Sequence, residues 1–357
     1  MRSQDILIST PDGRGLQGAL FVPAATPRAA VVLAGATAVP ARAYHPLAEA
    51  LSAAGLAVLT FDYRGIARSQ RTAPRLEVAT MADWGRFDLE GALSALAARL
   101  PTMPLLLVGH SVGGQLLGLA PTSGALRGAL LVGAQNGYWK NWKGLAQARM
   151  WLNWHVLLPS LTAALGYGPM RVLKMGENLP AGVARQWARW GRHPGYFLSE
   201  CTPAECEHYV RLGFPIRFYH FTDDEFAPLP AVRGLADIYR AAETEVVTRA
   251  PQDLGVSAIG HFGWLKPHFR DTLWQQMADW LLARAEAVAG GFKTAREPSR
   301  SLDASTALPG TSRIQARQLR SERRDVPLSH WHKQMMTLVD EVKNSDSPTS
   351  GNKRRGD

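Results

Sequence analysis

The sequence predicts an α/β protein whose mostly parallel sheet is covered by helices on both faces, and three observations carry that reading. Apolar runs at 29–33, 57–61, 105–108 and 129–132 alternate with stretches of helical spacing, the pattern of strands buried on both faces and joined by crossover helices. One of these runs breaks at a glycine into a serine-bearing turn. After an interruption of about seventy residues the alternation resumes at 216–221 and closes in an amphipathic helix through Leu273, Met277, Trp280 and Leu281.

Composition bounds the rest. A chain of 357 residues with 46% hydrophobic content has room for one large core with extras. Cys201 and Cys206 are too few for a disulfide framework and suit a reducing compartment. His208 lies near them, but no matching ligands occur elsewhere, so no metal site is expected. The polar start, Met1 to Asp5, leads straight into a strand, and the apolar stretch 150–165 is interrupted by His155 and Pro159. A cytoplasmic chain without a transmembrane span is therefore expected. Net charge is +10, yet from Ala289 onward 13 basic residues face 8 acidic ones, which places half of the excess in the last fifth of the chain. The body is mildly basic and carries no recognisable nucleic-acid motif, so nucleic acid is not the expected partner.

In chain order, 6–9 and 16–22 flank the turn cluster Pro11-Asp12-Gly13-Arg14-Gly15 and form a hairpin. A strand at 29–33 leads through Ala34-Gly35-Ala36-Thr37 to a helix near 44–54 and a strand at 57–61. Leu89, Leu93, Leu96 and Leu100 then mark the core face of a helix over 81–100, entered through Thr80 and Asp83 as a capping pair. Beyond the second half of the sheet, whose helix lies around 231–241 and whose last strand spans 245–248, Gly290-Gly291 opens a segment rich in Arg, Ser, Thr and Pro that should be largely disordered. Within it Leu328, Trp331, Met335, Leu338 and Val342 repeat at three and four: either a short amphipathic helix over 328–343, which docks on the body or recruits a protein partner, or an incidental pattern.

The chain is organised around residues 105–117, an apolar run that continues through Gly109-His110-Ser111-Val112-Gly113-Gly114 into leucines. Strand, sharp turn and helix start surround a G-x-S-x-G pattern, whose small residues let a serine project alone above the sheet edge. A serine hydroxyl needs a histidine to take its proton, and that histidine needs a carboxylate to fix its tautomer. Candidates lie downstream in Thr222-Asp223-Asp224-Glu225-Phe226-Ala227-Pro228 and in Ile259-Gly260-His261-Phe262-Gly263. His110 and His220 read as structural.

With these motifs the sequence resembles the α/β-hydrolase superfamily, and within it the serine aminopeptidase and monoacylglycerol-lipase-like branch, over residues 1–288. Asp62-Tyr63-Arg64-Gly65-Ile66-Ala67-Arg68-Ser69 is similar to that family's D-x-R-G-x-G-x-S loop, with Ala67 in place of the second glycine. The resemblance implies the chain order Ser111, Asp224, His261 for a catalytic triad, with Asp224 matching D-x-x-x-P and Asp223 as the runner-up. It implies oxyanion donors at the backbone of Val112 and, by the match of Ala34-Gly35-Ala36 to H-G-x, of Ala36. It also implies that the insertion at 136–206, which holds six of the eleven tryptophans, is a helical cap over the site within the 1–288 catalytic domain, distinct from the 289–357 tail. Trp139, Trp142, Trp151 and Trp154 are the expected substrate wall. The function implied is a cofactor-free serine hydrolase of carboxylic esters of small molecules with apolar acyl groups. Thioester or amide cleavage and acyl transfer use the same triad, and a non-catalytic ligand-binding or regulatory module is the alternative of another class.

Overall fold

The structure is a computed structural model that describes residues 2–289. The chain beyond 289, with the helix expected over 328–343, lies outside the described residues. Eight strands form one sheet in the order β1-β2-β4-β3-β5-β6-β9-β10. The hairpin of β1 (Arg2–Ser9) and β2 (Gly15–Val22) is antiparallel, and β2 meets β4 (Leu56–Phe61) antiparallel. From β4 onward β3 (Ala29–Ala34), β5 (Leu105–His110), β6 (Ala129–Val132), β9 (Ile216–Phe221) and β10 (Thr244–Arg249) pair in parallel. The expected α/β architecture is thus observed.

The continuous apolar runs are explained by two cores, one on each face. Alternate side chains of a strand point to opposite faces. Val32, Leu59, Leu107 and Leu131 join one core, whereas Val31, Val58, Leu106 and Leu130 join the other. The second core is closed by Leu47 and Leu51 of α1 (His45–Ala53) and by Met277 and Leu281 of α10 (Gln275–Ala289). The first is closed by the helix expected over 81–100. That helix starts as α2 (Met81–Asp83), where Thr80 and Asp83 exchange capping hydrogen bonds, and finishes as α3 (Glu90–Arg99). Between them Trp84–Leu89 is a π-helical turn that periodicity alone does not reveal. It brings Asp88 to Arg64, which binds it through Nε at 2.6 Å and reaches Asp12 through Nη1 at 2.8 Å. The Arg64 charge of the 62–69 loop thus holds structure together, and Ala67, standing in place of the second glycine of the loop it resembles, takes φ 39°.

Only one turn of α-helix, α4 (Val112–Gln115), follows the serine before a 3-10 turn at Leu117–Leu119. The segment between β6 and β9 carries α5 (Gly144–Leu152), α6 (Leu158–Leu165), α7 (Ala181–Arg192) and α8 (Pro203–Arg211), with a two-residue ladder of β7 (Tyr167–Gly168) and β8 (Leu179–Pro180) before α7. Pro159 stands directly after the π-helical turn Asn153–Leu157, through which α5 continues into α6. Between β9 and β10, α9 (Leu229–Ala236) completes the crossover. Among the described residues no helix is long and apolar enough to cross a membrane.

Candidate active site

The site is built at the carboxyl ends of β3, β5, β6 and β9, where loops from several strands converge. At the end of β5 Ser111 takes φ 53° and ψ −114°, an unfavourable backbone for a residue with a Cβ. Close packing enforces it. A Cβ on Gly113 would stand 2.2 Å from the carbonyl oxygen of Ala34, and one on Gly109 would stand 2.8 Å from the backbone of Gly114. Gly113 is therefore needed for the turn to approach β3, and Gly109 for α4 to fold back over the end of β5.

His261 Nδ1 lies 2.7 Å from Asp224 Oδ2, and both side chains are buried. The other oxygen of Asp224 accepts the N–H groups of Phe226 (2.8 Å) and Ala227 (3.1 Å), which orients the carboxylate. With Nδ1–H committed to Asp224, Nε2 is the nitrogen left for Ser111, and the two residues line the same cavity. Asp223, the runner-up, faces another way. Its Oδ2 accepts the N–H groups of Ile259 (2.7 Å) and Gly260 (3.0 Å) and so anchors the loop that delivers His261. Glu225 turns out to bind Arg149 at 3.0 Å.

The neighbouring histidines have separate partners. His110 is fully buried, with Nδ1 2.8 Å from Tyr44 Oη and Nε2 2.9 Å from the carbonyl oxygen of His261. Burial, assisted by the nearby His261, holds its pKa well below the ordinary histidine value. His220 lies beside Thr248 in the sheet. Near the two cysteines, Cys201 donates to the carbonyl of Phe197, Cys206 to that of Leu198, and His208 meets that of Gly118. No group of three His, Cys, Asp or Glu side chains among the described residues is placed to hold a metal.

The expected oxyanion donors are placed differently. Val112 opens α4 directly after Ser111, so its N–H belongs to the unpaired first turn of a helix. The N–H of Ala36 is instead donated to Tyr44 Oη at 2.7 Å. Thr37, the next residue, lines the cavity, and its Oγ1 is buried with no hydrogen-bond partner among the described residues. The loop then turns through Ala38 at φ 65°, and the carbonyl of Ala38 accepts the N–H of Glu177 at 2.7 Å.

The cavity is narrow, about 40 Å³, and its apolar wall is formed by Met170, Met175, Trp187, Phe226 and Phe262. The four tryptophans expected there are elsewhere. Trp142 is buried and donates its indole N–H to the carbonyl of Glu225 at 2.8 Å, bracing the loop of Asp224. Trp154 is buried against Trp187, with ring centroids 4.9 Å apart. Trp151 is 41% exposed and stacks on His155, and Trp139 stands edge-on to the same imidazole. Helical spacing marks an apolar face without telling whether that face meets a neighbouring helix or a cavity. Trp187, of the same six, lines the cavity that Ser111 also lines.

Three contributors escaped the sequence reading. Gln135 lines the cavity and donates to the carbonyl of Phe226 at 3.0 Å while accepting from Gln115 Nε2 at 3.0 Å. Gly133, at φ 57°, leaves space that a Cβ would fill 3.0 Å from His261 Cε1 and 3.2 Å from Asp224 Oδ2. Tyr44 sits beside α1 in a spacing that reads as ordinary core. For Gly133 a signal existed: a glycine directly after a buried strand, at a sheet edge that carries the other loops.

Residues 25–173 match the family described as serine aminopeptidase, S33. A monoacylglycerol lipase of Mycolicibacterium smegmatis is 35% identical over 95 residues, which are 27% of this chain and 33% of that protein, so the match spans about a third of the relative's length. Among solved structures, a thermostable carboxyl esterase from Bacillus coagulans in complex with glycerol superposes with a TM-score of 0.53 at 15% identity, covering 80% of this chain and 99% of that one. The esterase domain of a Rhodothermus marinus protein gives 0.50 at 18% identity over 79% and 99%. The Paleococcus ferrophilus monoacylglycerol lipase gives 0.50 at 15% identity over 75% and 99%. At such identities the superpositions speak for the fold.

Proposed function

We propose that the chain is an α/β hydrolase of the serine aminopeptidase and monoacylglycerol-lipase-like branch and that it cleaves carboxylic esters through an acyl-enzyme on Ser111. One observation carries the proposal: the His261–Asp224 pair, 2.7 Å apart, opens onto the cavity that Ser111 also lines. Ser111 Oγ attacks the ester carbonyl carbon while His261 Nε2 takes its proton, and Asp224 stabilises the imidazolium that forms. The carbonyl π electrons move to oxygen, which is held by backbone N–H groups beside Ser111. Collapse of this adduct expels the alcohol, protonated by His261, and leaves Ser111 acylated. Water then attacks the acyl carbon with His261 as base, and the acid departs.

The segment 136–206 acts as a cap in this reading, because Met170, Met175 and Trp187 come from it and close the cavity over the serine. Their apolar surface supports a small to medium apolar acyl group. The monoacylglycerol lipase relative favours ester cleavage, while the family description, a serine aminopeptidase, keeps amide cleavage as the second reading on the same triad. The test is labelling by a fluorophosphonate together with hydrolysis of p-nitrophenyl esters. Wild type should be labelled and active, and Ser111→Ala should be neither. Retention of more than about a tenth of the turnover by Ser111→Ala would overturn the assignment, since loss of a triad member costs on the order of 10⁴ to 10⁶. A folded wild type that is neither labelled nor active would make the chain a binding module on a hydrolase fold.

A further inference from the structure

Three buried hydrogen bonds run from the loop after β3 to the loop of His261 by a route that the proposed chemistry does not use. Ala36 N–H donates to Tyr44 Oη (2.7 Å), Tyr44 Oη meets His110 Nδ1 (2.8 Å), and His110 Nε2 meets the carbonyl oxygen of His261 (2.9 Å). Ala36, Tyr44 and His110 are each at most 2% exposed. Their proton arrangement has one solution. The carbonyl oxygen of His261 can only accept, so the neutral ring of His110 carries its hydrogen on Nε2 and donates it there. Nδ1 must then accept, and Tyr44 Oη, which accepts the N–H of Ala36, gives its single hydrogen to it. Trp264 Nε1 donates to the same carbonyl at 3.1 Å, so the backbone of His261 is held from two directions.

We propose that Tyr44 and His110 are positioning residues for the hydrolytic reaction: they lock the loop after β3 and the loop of His261 in one relative setting and assign the second oxyanion contact to the N–H of Thr37. This rests on the serine-hydrolase reading above. With its N–H committed to Tyr44, Ala36 has no donor to offer an oxyanion. Thr37 follows it on the cavity wall beside Ser111, and its N–H has no hydrogen-bond partner among the described residues. Oxyanion donors act only when they stand within hydrogen-bond reach of the developing charge, and a displacement of about 1 Å at such a site costs on the order of 10² in rate. The ring of Tyr44 packs directly on Gly35, where an added Cβ would stand 2.8 Å from Cε2.

Tyr44→Phe keeps the ring and removes the hydroxyl, which frees the Ala36 N–H and leaves His110 Nδ1 without a donor. Three quantities are measured for wild type and variant: active sites titrated with a fluorophosphonate, kcat and KM for a p-nitrophenyl ester, and Ki for phenylboronic acid, whose tetrahedral adduct on a serine copies the oxyanion. Per titrated site, Tyr44→Phe should lose about 10 to 100-fold in kcat and weaken the boronate by a similar factor, with KM within about twofold, as expected when an interaction made only in the transition state is lost. His110→Gln, which retains a donor for the His261 carbonyl, should keep more activity than His110→Leu, and this pair carries the test if Tyr44→Phe does not fold. Wild-type kcat and Ki per titrated site in Tyr44→Phe, or equal activities of the two His110 variants, would overturn the proposal. If wild type itself takes no fluorophosphonate, the hydrolase reading falls, a result distinct from any in the variants.

Discussion

Asp223 and Asp224 are consecutive residues that hold His261 by different parts: Asp223 Oδ2 accepts the N–H of Gly260 (3.0 Å), one residue before the histidine, while Asp224 Oδ2 meets its ring at Nδ1 (2.7 Å). The two carboxylates should therefore fail differently. Asp224→Asn presents an amide that favours the wrong imidazole tautomer, and kcat should fall about 10⁴-fold with little change in melting temperature. Asp223→Asn keeps an acceptor but loses the charge that strengthens two backbone hydrogen bonds, each of the kind worth about 1.5–3 kcal/mol. Its melting temperature should drop while kcat falls by roughly tenfold or less. Kinetics and thermal melts on the two variants check the ranking, and the reverse order would move the acid to Asp223.

Gly133 is the position at which a single methyl group would disturb the pair. Its φ of 57° strains any other residue, and the added Cβ would press within 3.0 Å of His261 Cε1. Backbone strain of this kind costs about 1–3 kcal/mol. Gly133→Ala should lose stability of that order and, through the displaced imidazole, on the order of 10² in kcat/KM. A variant with wild-type kinetics would mean that the loop of His261 adjusts freely.

Stability should carry the signature of the buried neutral ring of His110. Its pKa is depressed in the folded protein, chiefly by burial, from an ordinary value of 6.5. Below that pH the unfolded chain binds a proton there that the native chain does not, so folding loses about 1.4 kcal/mol per pH unit from this residue as the medium is acidified. His45 and His220 shift in the same direction, also through burial, and contribute in wild type and variant alike. Urea midpoints between pH 7 and pH 5 should fall more steeply for wild type than for His110→Gln. Parallel slopes would show that the imidazole is protonated in place.

The chemistry-bearing residues were legible because each is tied to a local backbone demand. Ser111 lies between glycines that approach Ala34 and Gly114 too closely for a Cβ, and such demands leave a mark on sequence. The sheet was legible for a related reason: strands buried on both faces, such as β3 and β5, have no polar side to their pattern. What stayed hidden depends on meetings across the fold. Nothing near Tyr44 indicates that its hydroxyl takes the N–H of Ala36, eight residues earlier, or that it reaches His110, 66 residues away. The assignment of Ala36 followed a motif whose histidine is here Ala34, and the motif carries no record of a tyrosine occupying the donor. The π-helical turns at Trp84–Leu89 and Asn153–Leu157 were equally silent, because one inserted residue leaves helical spacing almost unchanged.

The cavity wall gives the last prediction, on acyl-chain preference. The space beside Ser111 is about 40 Å³ and is closed by Trp187 together with Met170, Met175, Phe226 and Phe262, so acyl groups should gain about fourfold in kcat/KM per methylene, near 0.8 kcal/mol each, only until this small volume is full. Removing the indole of Trp187 lengthens the available space, although it also deletes the hydrogen bond from its Nε1 to Tyr196 Oη (3.0 Å). Trp187→Ala should therefore shift the optimum to longer p-nitrophenyl esters while leaving acetate within a few-fold of wild type. Trp142→Ala should behave otherwise. It loses the contact with the Glu225 carbonyl beside Asp224 and should slow all esters by a common factor. Trp154→Ala, which empties a buried position, should cost about 3–5 kcal/mol of stability without a new optimum, and the partly exposed Trp139 and Trp151 should tolerate alanine with the profile unchanged. A shifted optimum in any of those four with none in Trp187→Ala would return the substrate wall to the residues that helical spacing first suggested.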